Sequence, residues 1–534
     1  MGTSLTRRSV LRAAGVTVAG GAVSQITLPG EAAAEVLFFA HGVASGDPLP
    51  DSVLLWTRVT PAAEATPGSG LGPRVELRWE VATDAGFEHV VARGRERTGP
   101  ECDHTVHVSA AGLRPSTGYY YRFTHRGQTS PVGRTRTAPR HDADLARLRF
   151  GVVSCANWFV GHFAPYGYLA SRDDLDAVIH LGDYLYEMAP DPATDLRPNV
   201  PAHELVTLAD YRQRHANHKT DAHVRAVHLR HPLIATWDDH EAADNAWSGG
   251  SPSHDPATEG PWAARMAAAH QAYFEWMPVR HRGPRLYRRL KFGKLVDLTM
   301  LDLRSYRTQQ PEPGSDDPAG TILGAEQRQW FLDGLTCGSA GWNLIGNSVM
   351  IAPIKVPALP TPQVKALARL LDGQPLATTV NTDQWDGYTA DRRRVLDALV
   401  RQGKGNTVFL TGDIHSSWAN DVPLDAADPT SPAVAAEFVC TSITSDNFDD
   451  LLHVPPRTAS LKIEAAIRAL NPHVQSVELD SHGPSVLEVT PGSVQFDWYY
   501  VADRRDPATA VTYSHSFRTT PGNPHVVPST TPIA

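Results

Sequence analysis

Four apolar, strand-like runs of this chain each end directly in side chains that can bind metal ions. The endings are Ser154-Cys155-Ala156-Asn157, Gly182-Asp183-Tyr184-Leu185-Tyr186, Trp237-Asp238-Asp239-His240-Glu241 and Gly412-Asp413-Ile414-His415. In a layered α/β fold, the ends of several strands meet at one edge of a sheet, so these side chains can converge. Thiolate, phenolate, carboxylate and imidazole together suit a hard trivalent ion beside a divalent one. The pattern therefore predicts an α/β sheet protein with a metal centre at one sheet edge.

The rest of the chain predicts two domains. Residues 35–140 contain short alternating strands between turns, and the run Leu113–Phe123 resembles the tyrosine corner of an immunoglobulin- or fibronectin-like β-sandwich. In residues 141–534, buried strands alternate with helical patterns, which implies a central sheet covered on both faces. These strands are predicted at Arg149–Ser154, Ala177–Leu181, Leu233–Trp237, Val296–Leu301, Leu344–Ile345 and Thr407–Thr411. With a second layer of sheet, we expect a four-layer α/β/β/α sandwich.

Three local predictions complete the expected fold. Leu208–Leu229 has apolar residues at helical spacing and is predicted as a helix. Ser485–Val489 and Val494–Val501 are predicted to form a hairpin around Pro491-Gly492. The chain after Phe517 is rich in proline and threonine, which favours a loose end.

Residues 1–34 are predicted to be a signal peptide rather than part of the fold. Arg7-Arg8 precedes a short Ala/Gly/Val-rich run, and Ala32-Ala33-Ala34 offers a cleavage site. Paired arginines favour the twin-arginine export machinery as a partner and a secreted or cell-wall location. The alternative is a membrane anchor, but the run is short and glycine-rich for a bilayer span. No other run is long enough to span a bilayer, so we expect no transmembrane segment in the mature chain.

Charge and cysteine content exclude some classes of protein. The 534 residues carry a formal net charge of −9, and no long basic stretch stands out beyond the N-terminus, so nucleic-acid binding by charge is not expected. An acidic chain does not steer anions from a distance, so any attraction for phosphate has to be local. The four cysteines are too few for a disulfide scaffold.

The residue types at the four endings indicate which ions they would bind. A phenolate such as Tyr186, three residues after Asp183, favours Fe3+. Adjacent carboxylates such as Asp238 and Asp239 suit Ca2+, and Asn245 offers a neutral oxygen nearby. His240 is placed to stabilise a transition state or to protonate a leaving oxygen.

Each of these pieces also has a purely structural interpretation. Asp183 could cap a helix, and the acidic run at Asp238 could do the same at the surface. Cys155 could be a small buried apolar residue, and His415 a hydrogen-bonded histidine of the core. The common position of all four pieces after apolar strands favours the metal-binding interpretation.

The four motifs together resemble those of the metallophosphoesterase superfamily, and specifically of the alkaline phosphatase D (PhoD) family. The Gly-Asp-x-x-Tyr motif of the related purple acid phosphatases is present at Gly182–Tyr186, and their Gly-Asn-His-Glu/Asp motif reads Asp238–Glu241 here. Their Asp-x-Gly is replaced by Ser154–Ala156, and their Gly-His-x-His by Gly412–His415. These departures are those of the alkaline phosphatase D branch. The resemblance implies Fe3+ held by Cys155, Asp183, Tyr186 and His415, and Ca2+ held by Asp183, Asp239 and Asp413, with Asn245 as a further candidate.

The resemblance also implies a function. We expect a secreted, monomeric hydrolase that releases phosphate from phosphate mono- or diesters by in-line attack of a metal-bound hydroxide. His240, Arg304 and Arg307 are candidates for phosphate contacts, because arginine binds phosphate bidentately. Either arginine could equally be a structural partner of Asp302.

Two alternative functions remain open from the sequence. A phospholipase D-type phosphodiesterase, acting on phospholipid head groups, would use the same metals, and the loops Ser248–Pro261 and Ser305–Gly320 would decide between monoesters and diesters. The second alternative is a secreted protein that binds carbohydrate or cell-wall polymer through its β-sandwich. A pure binding protein would carry no stoichiometric iron.

Overall fold

The computed structural model describes residues 38–312, 318–357, 361–370, 381–403, 405–425, 428 and 430–533. The predicted signal peptide lies outside these residues. Among these residues, no helix has both the length and the apolar character needed to cross a membrane.

The strands of the first half are β1 (Val43–Leu49), β2 (Ser52–Arg58), β3 (Val75–Ala82), β4 (Val90–Thr98), β5 (Thr105–Ala111), β6 (Gly118–His125), β7 (Gln128–Thr129), β8 (Gly133–Arg136), β9 (Leu148–Val153), β10 (Ala177–His180) and β11 (Pro232–Ala235). Those of the second half are β12 (Arg288–Phe292), β13 (Val296–Met300), β14 (Trp342–Asn347), β15 (Thr407–Thr411), β16 (Ser417–Pro423), β17 (Ala433–Val439), β18 (Val474–Glu478), β19 (Ser485–Thr490), β20 (Ser493–Val501), β21 (Val511–Thr520) and β22 (Asn523–Ser529). The helices are α1 (Ala164–Ser171), α2 (Leu208–His218), α3 (Ala222–Arg230), α4 (Pro256–Glu259), α5 (Trp262–Trp276), α6 (Gly324–Cys337), α7 (Thr361–Leu370), α8 (Thr389–Gln402), α9 (Phe448–Leu452) and α10 (Ser460–Leu470). Short 3-10 turns lie at Pro100–Cys102 and Trp385–Gly387.

Two large sheets pack face to face at the centre of the molecule. The first has the strand order β22-β21-β20-β19-β9-β10-β11-β1-β2-β5, and the second β12-β13-β14-β15-β17-β16-β18. Apolar side chains of both sheets, such as Val152 and Ile179 from the first and Leu344 and Leu410 from the second, form one buried cluster between them. Burial of this shared face is the main apolar contribution to the stability of the fold.

Helices cover the outer face of each sheet. Leu169 of α1 and Val224 of α3 belong to one buried cluster with Val178 of β10. Phe331 of α6 and Val395 of α8 belong to another, which includes residues of the second sheet. The arrangement is helix, sheet, sheet, helix, so the predicted four-layer α/β/β/α sandwich is confirmed.

The helix predicted at Leu208–Leu229 is in fact two helices, α2 and α3. The side chain of Asp221 accepts hydrogen bonds from the backbone N–H groups of His223 and Val224 at 2.8 and 3.2 Å, which begins a new helix at Ala222. An N-cap inside an otherwise helical pattern therefore divides the segment.

The N-terminal β-sandwich shares a sheet with the rest of the molecule. One of its layers is β4-β3-β6-β7 with β8 beside β6, and the other is β1, β2 and β5. The backbone N–H of Arg114 donates to the hydroxyl of Tyr119 at 2.8 Å, which is the hydrogen bond of a tyrosine corner. Because β1 pairs in parallel with β11, one continuous sheet crosses the division predicted at residue 140.

The C-terminal segment differs from its prediction. The expected hairpin is present as β19 and β20, in register from Ser485 opposite Trp498 to Thr490 opposite Ser493. The tail after Phe517 is not a loose end, because β21 and β22 continue the first sheet to its edge. The sequence Asn523–Ser529 contains two prolines, which an edge strand tolerates because its outer N–H groups need no partner.

Candidate metal centre

The residues predicted to bind metal follow the carboxyl ends of four parallel strands. Cys155 follows β9, Asp183 follows β10, Asp239 follows β11 and Asp413 follows β15. The strands β9, β10 and β11 are parallel neighbours in the first sheet, and β15 lies in the second. The thiol of Cys155 lies 3.8 Å from the carbonyl oxygen of Asp413, so the carboxyl ends of strands from the two sheets meet at this point.

The backbone is left-handed at several of these positions. Positive φ angles occur at Cys155 (59°), Asp183 (56°), Asn245 (54°), Asp413 (69°) and His415 (46°). Residues other than glycine rarely adopt this conformation, and strained backbone of this kind clusters at functional sites.

Gly182 is required by a close approach of two strand ends. Its φ is +112°, and a Cβ atom there would lie 2.5 Å from the Cβ of Asp238. The carboxylate of Glu241 ties the same two strand ends together, since it accepts from the backbone N–H groups of Asp183, Tyr184 and Asp238 at 3.1, 2.7 and 2.8 Å.

The first group of candidate ligands surrounds Asp183. One ligand atom each from Cys155, Asp183 and His415 lies within 4.8 Å of the others. The hydroxyl of Tyr186 lies 3.0 Å from Asp183 Oδ2 and 3.2 Å from His415 Nε2. The structure thus brings together all four residues that were predicted to hold the first ion.

The second group also includes Asp183. Its carboxylate, that of Asp239 and a ring nitrogen of His240 lie within 4.8 Å of one another. Asn245 and Asp413 line the same cavity of about 420 Å³. The backbone N–H of Asn245 donates to Asp239 Oδ2 at 2.6 Å, which orients that carboxylate.

The charge balance of the cavity fits cations. Burial raises the pKa of Asp183 well above its usual value, and the neighbouring charges of Asp239, Asp238 and Glu241 raise it further against the opposing effect of His240. Burial and the charge of Asp238 likewise raise the pKa of Asp413 well above its usual value. Within the part of the chain described, the buried Oδ1 atom of Asp183 accepts no hydrogen bond. Buried carboxylates of this kind are normally paired or bind metal.

His415 is oriented as a neutral ligand. Its Nδ1 lies 3.0 Å from the carbonyl oxygen of Asp446, which only a protonated Nδ1 can satisfy. The remaining nitrogen, Nε2, then carries a lone pair directed at the Tyr186 and Asp183 side of the cavity. Burial lowers the pKa of His415 to about 3, so the ring is neutral near pH 7.

His240 has the opposite environment. Its Nδ1 lies 2.7 Å from Glu187 Oε2, and its ring packs against Tyr186 with 4.1 Å between centroids. Burial lowers the pKa of His240, but the charges of Glu187, Asp239 and Asp183 outweigh it and raise the pKa well above the usual value. His240 is therefore a protonated ring at the wall of the cavity.

The two candidate arginines are engaged by carboxylates. Arg304 donates to both oxygens of Asp238 at 2.6 and 2.9 Å and to Asp383 at 2.9 Å, with 2% of its side chain exposed. Arg307 donates to Asp383 Oδ1 at 2.5 Å and to the carbonyl oxygens of Ala246 and Asp383. Both arginines have the contacts of structural partners, but with Asp238 and Asp383 rather than Asp302. Arg304 also lies 3.4 Å from Asp413 Oδ1 and 3.7 Å from Asp239 Oδ1.

Sequence reasoning missed three residues that position the candidate ligands. Glu187 orients His240, Gln384 donates to Asp413 Oδ2 at 3.0 Å, and Ser445 donates to the Tyr186 hydroxyl at 2.6 Å. Glu187 could have been found, because it directly follows Tyr186 and extends the strand-end motif. Gln384 and Ser445 come from distant loops and carry no local signal.

Comparison with known proteins places this geometry in a family. The model of the PhoD-like phosphatase family matches residues 150–498, and that of the PhoD-like phosphatase N-terminal domain matches residues 24–139. Alkaline phosphatase D of Bacillus subtilis (strain 168) is 36% identical over 498 residues, which are 90% of this chain and 80% of that protein. A solved structure of PhoD matches with a TM-score of 0.82 and 35% identity, over 93% of both chains.

The replacement Arg304→Gln is expected to destabilise the protein by about 3–5 kcal/mol, because it leaves the buried carboxylate of Asp238 without its cation. The free energy of unfolding from a denaturant titration measures this. Arg95→Gln is the matched control, since Arg95 is 60% exposed beside Glu76 and its loss should cost about 1 kcal/mol or less. Equal effects of the two replacements would contradict the structural role of Arg304.

Proposed function

The chain belongs to the PhoD-like phosphatase family and is a phosphoester hydrolase, and we propose that its hydrolytic site is the cavity that holds Asp183, with Fe3+ and Ca2+ as its ions. The observation that carries the proposal is the convergence of thiol, phenol, carboxylate and imidazole on Asp183 from four strand ends. The same family finding does not favour the alternative of a secreted carbohydrate-binding protein.

We assign the first ion to Cys155, Asp183, Tyr186 and His415. Thiolate and phenolate are strong donors to Fe3+, and the neutral Nε2 of His415 adds a nitrogen ligand. Burial raises the pKa values of the Cys155 thiol and the Tyr186 phenol well above their usual ranges, and the charge of Asp183 raises both further. Both groups would therefore stay protonated without a cation, so their deprotonation depends on the ion.

We assign Ca2+ to the oxygen ligands Asp183, Asp239 and Asp413, with Asn245 as a fourth. Calcium prefers oxygen donors of this kind, and Asp183 would be shared between the two ions. Bound at these residues, the pair of ions would lower the pKa of a water molecule and neutralise charge on phosphate oxygens.

The protein's own residues would carry out the remaining steps. His240 is protonated and lines the cavity, so its Nε2–H can contact a phosphate oxygen and donate a proton to the leaving oxygen. Glu187 fixes the Nδ1 side of the ring and supplies the charge that keeps it protonated. Arg304 and Arg307 would position Asp238 and the loop at Asp383, which leaves His240 as the proposed phosphate contact.

We further propose that the enzyme is exported by the twin-arginine route as a folded monomer and acts outside the cytoplasm. The paired arginines at Arg7-Arg8 and the need to insert metal before export support this.

A phosphodiesterase of the phospholipase D type needs room for a second substituent. Ser253, from the loop that was predicted to decide this, lines the cavity. Turnover of p-nitrophenyl phosphate, bis-p-nitrophenyl phosphate and phosphatidylcholine would separate these substrate classes.

Replacing Asp183 by Asn should abolish bound metal and turnover together, because one neutral amide cannot serve two cations. Elemental analysis and hydrolysis of p-nitrophenyl phosphate measure the two effects. Asp142→Asn, at an exposed position paired with Arg140, is the matched control and should leave both unchanged. Full iron content with normal activity in Asp183→Asn would refute the shared ligand.

In the pH profile of kcat/KM, Glu187→Gln should move the alkaline limb to lower pH by about one pH unit or more. The protonated ring is the active form, and loss of the Glu187 charge lowers the pKa of His240, so the proton is lost at a lower pH. Glu488→Gln makes the same chemical change in a pair with Arg149 and should leave the profile unmoved. An unchanged alkaline limb in Glu187→Gln would exclude His240 as the proton donor.

A further inference from the structure

A strongly basic segment lies outside the metal centre. Contrary to the expectation from the sequence, a basic stretch does exist beyond the N-terminus, at residues 280–291. It contains Arg280, Arg282, Arg285, Arg288, Arg289 and Lys291. Five of these six cations, the arginines, line one cavity of about 370 Å³. This arginine cavity shares no lining residue with the cavity at Asp183.

Carboxylates balance only part of the positive charge in the arginine cavity. Asp47 is the one carboxylate among the lining residues and pairs with Arg288 at 2.7 Å, and Glu326, which lies outside the lining, pairs with Arg285 at 3.8 Å. The Arg280 guanidinium instead donates to the carbonyl oxygen of Asp47 and to the Ser109 hydroxyl, at 3.0 and 2.9 Å. Five arginines against one carboxylate leave the lining with a net charge of +4 (5 − 1), which Glu326 beside Arg285 lowers to +3 (4 − 1). The net charge of the lining is therefore opposite in sign to that of the whole chain, which is −9.

A tight turn places two of these arginines directly opposite each other. The backbone N–H of Arg282 donates to the carbonyl of Arg285, and that of Arg285 donates to the carbonyl of Arg282, both at 3.1 Å. The turn between them uses Gly283, with a φ of +57°, and Pro284. Residues paired in this way extend their side chains to the same face, and like charges so placed repel each other. A bound anion would relieve this repulsion.

Aromatic side chains in the cavity wall hold Arg285 and Arg289 in place. The guanidinium of Arg285 lies 4.1 Å from the ring centre of Tyr287, and that of Arg289 lies 4.8 Å from the ring centre of Trp330. A Cβ atom at Gly334 of α6 would overlap the guanidinium of Arg289, so the glycine provides the space for this side chain. Such stacking orders the guanidinium groups before any ligand binds.

We propose that the arginine cavity is a second anion site, which binds a ligand with two neighbouring phosphate groups. Two phosphate groups carry together about three to four negative charges near neutral pH, which matches the net charge of the lining. Arginine binds phosphate in a bidentate manner, and several guanidinium groups surround the cavity. Arginines already lie over Tyr287 and Trp330, which disfavours stacking of nucleic-acid bases there and favours a compact phosphate ligand.

The test uses the full-length, metal-loaded enzyme and methylenediphosphonate, whose P–C–P bridge resists hydrolysis. Isothermal titration calorimetry should show a binding event that is weakened about tenfold or more in the double variant Arg282→Gln/Arg285→Gln, since charge-assisted hydrogen bonds are lost. The matched control is Arg93→Gln/Arg126→Gln, which removes two exposed arginines of the N-terminal β-sandwich. It should bind within about twofold of the unaltered protein, because these arginines lie outside the arginine cavity.

Two further measurements separate this site from the metal centre. The Asp183→Asn variant should retain the same binding event, and the double variant Arg282→Gln/Arg285→Gln should hydrolyse p-nitrophenyl phosphate at the normal rate. Loss of the event in Asp183→Asn with its retention in the arginine variant would overturn the proposal, as would equal losses in the arginine variant and its control. Tighter binding of a single-stranded oligonucleotide in competition with methylenediphosphonate would also overturn it, in favour of a nucleic-acid site.

Discussion

The burial of several carboxylates at one sheet edge is the constraint on which the rest of the site depends. Asp183, Asp238, Asp239 and Glu241 are each no more than 3% exposed. Buried charges destabilise a fold unless they are paired or hydrogen-bonded. Arg304 pairs with Asp238, and three backbone N–H groups satisfy Glu241. Asp183 has no such partner for its Oδ1 among the described residues, so a cation is favourable at this position.

Two histidines at the same cavity differ in protonation state because their hydrogen-bond partners differ. His415 faces a neutral carbonyl oxygen and is a neutral ring, whereas His240 faces the carboxylate of Glu187 and is a protonated one. The first therefore suits a ligand role and the second a role as proton donor. The hydrogen-bond acceptor at Nδ1 therefore decides whether a histidine of this cavity is neutral or protonated.

The layers of the fold and the meeting of the candidate ligand residues could be predicted from the sequence because both depend on local signals. An apolar run followed by Asp183 or Asp413 identifies a strand and its functional end together. The partners of Arg304 could not be predicted, since Asp383 lies far away in the chain and meets it only through packing. The edge strands β21 and β22 were missed because exposed strands lack an apolar run, and an N-cap at Asp221 divided a helix whose periodicity was continuous.

Anomalous X-ray diffraction at the iron absorption edge, from crystals of active enzyme, would locate the iron of the proposed metal centre. We expect one strong iron peak within bonding distance of the Cys155 thiol, the Asp183 carboxylate, the Tyr186 hydroxyl and His415 Nε2. Active crystals without a peak at that position, or with iron bound elsewhere, would contradict this expectation.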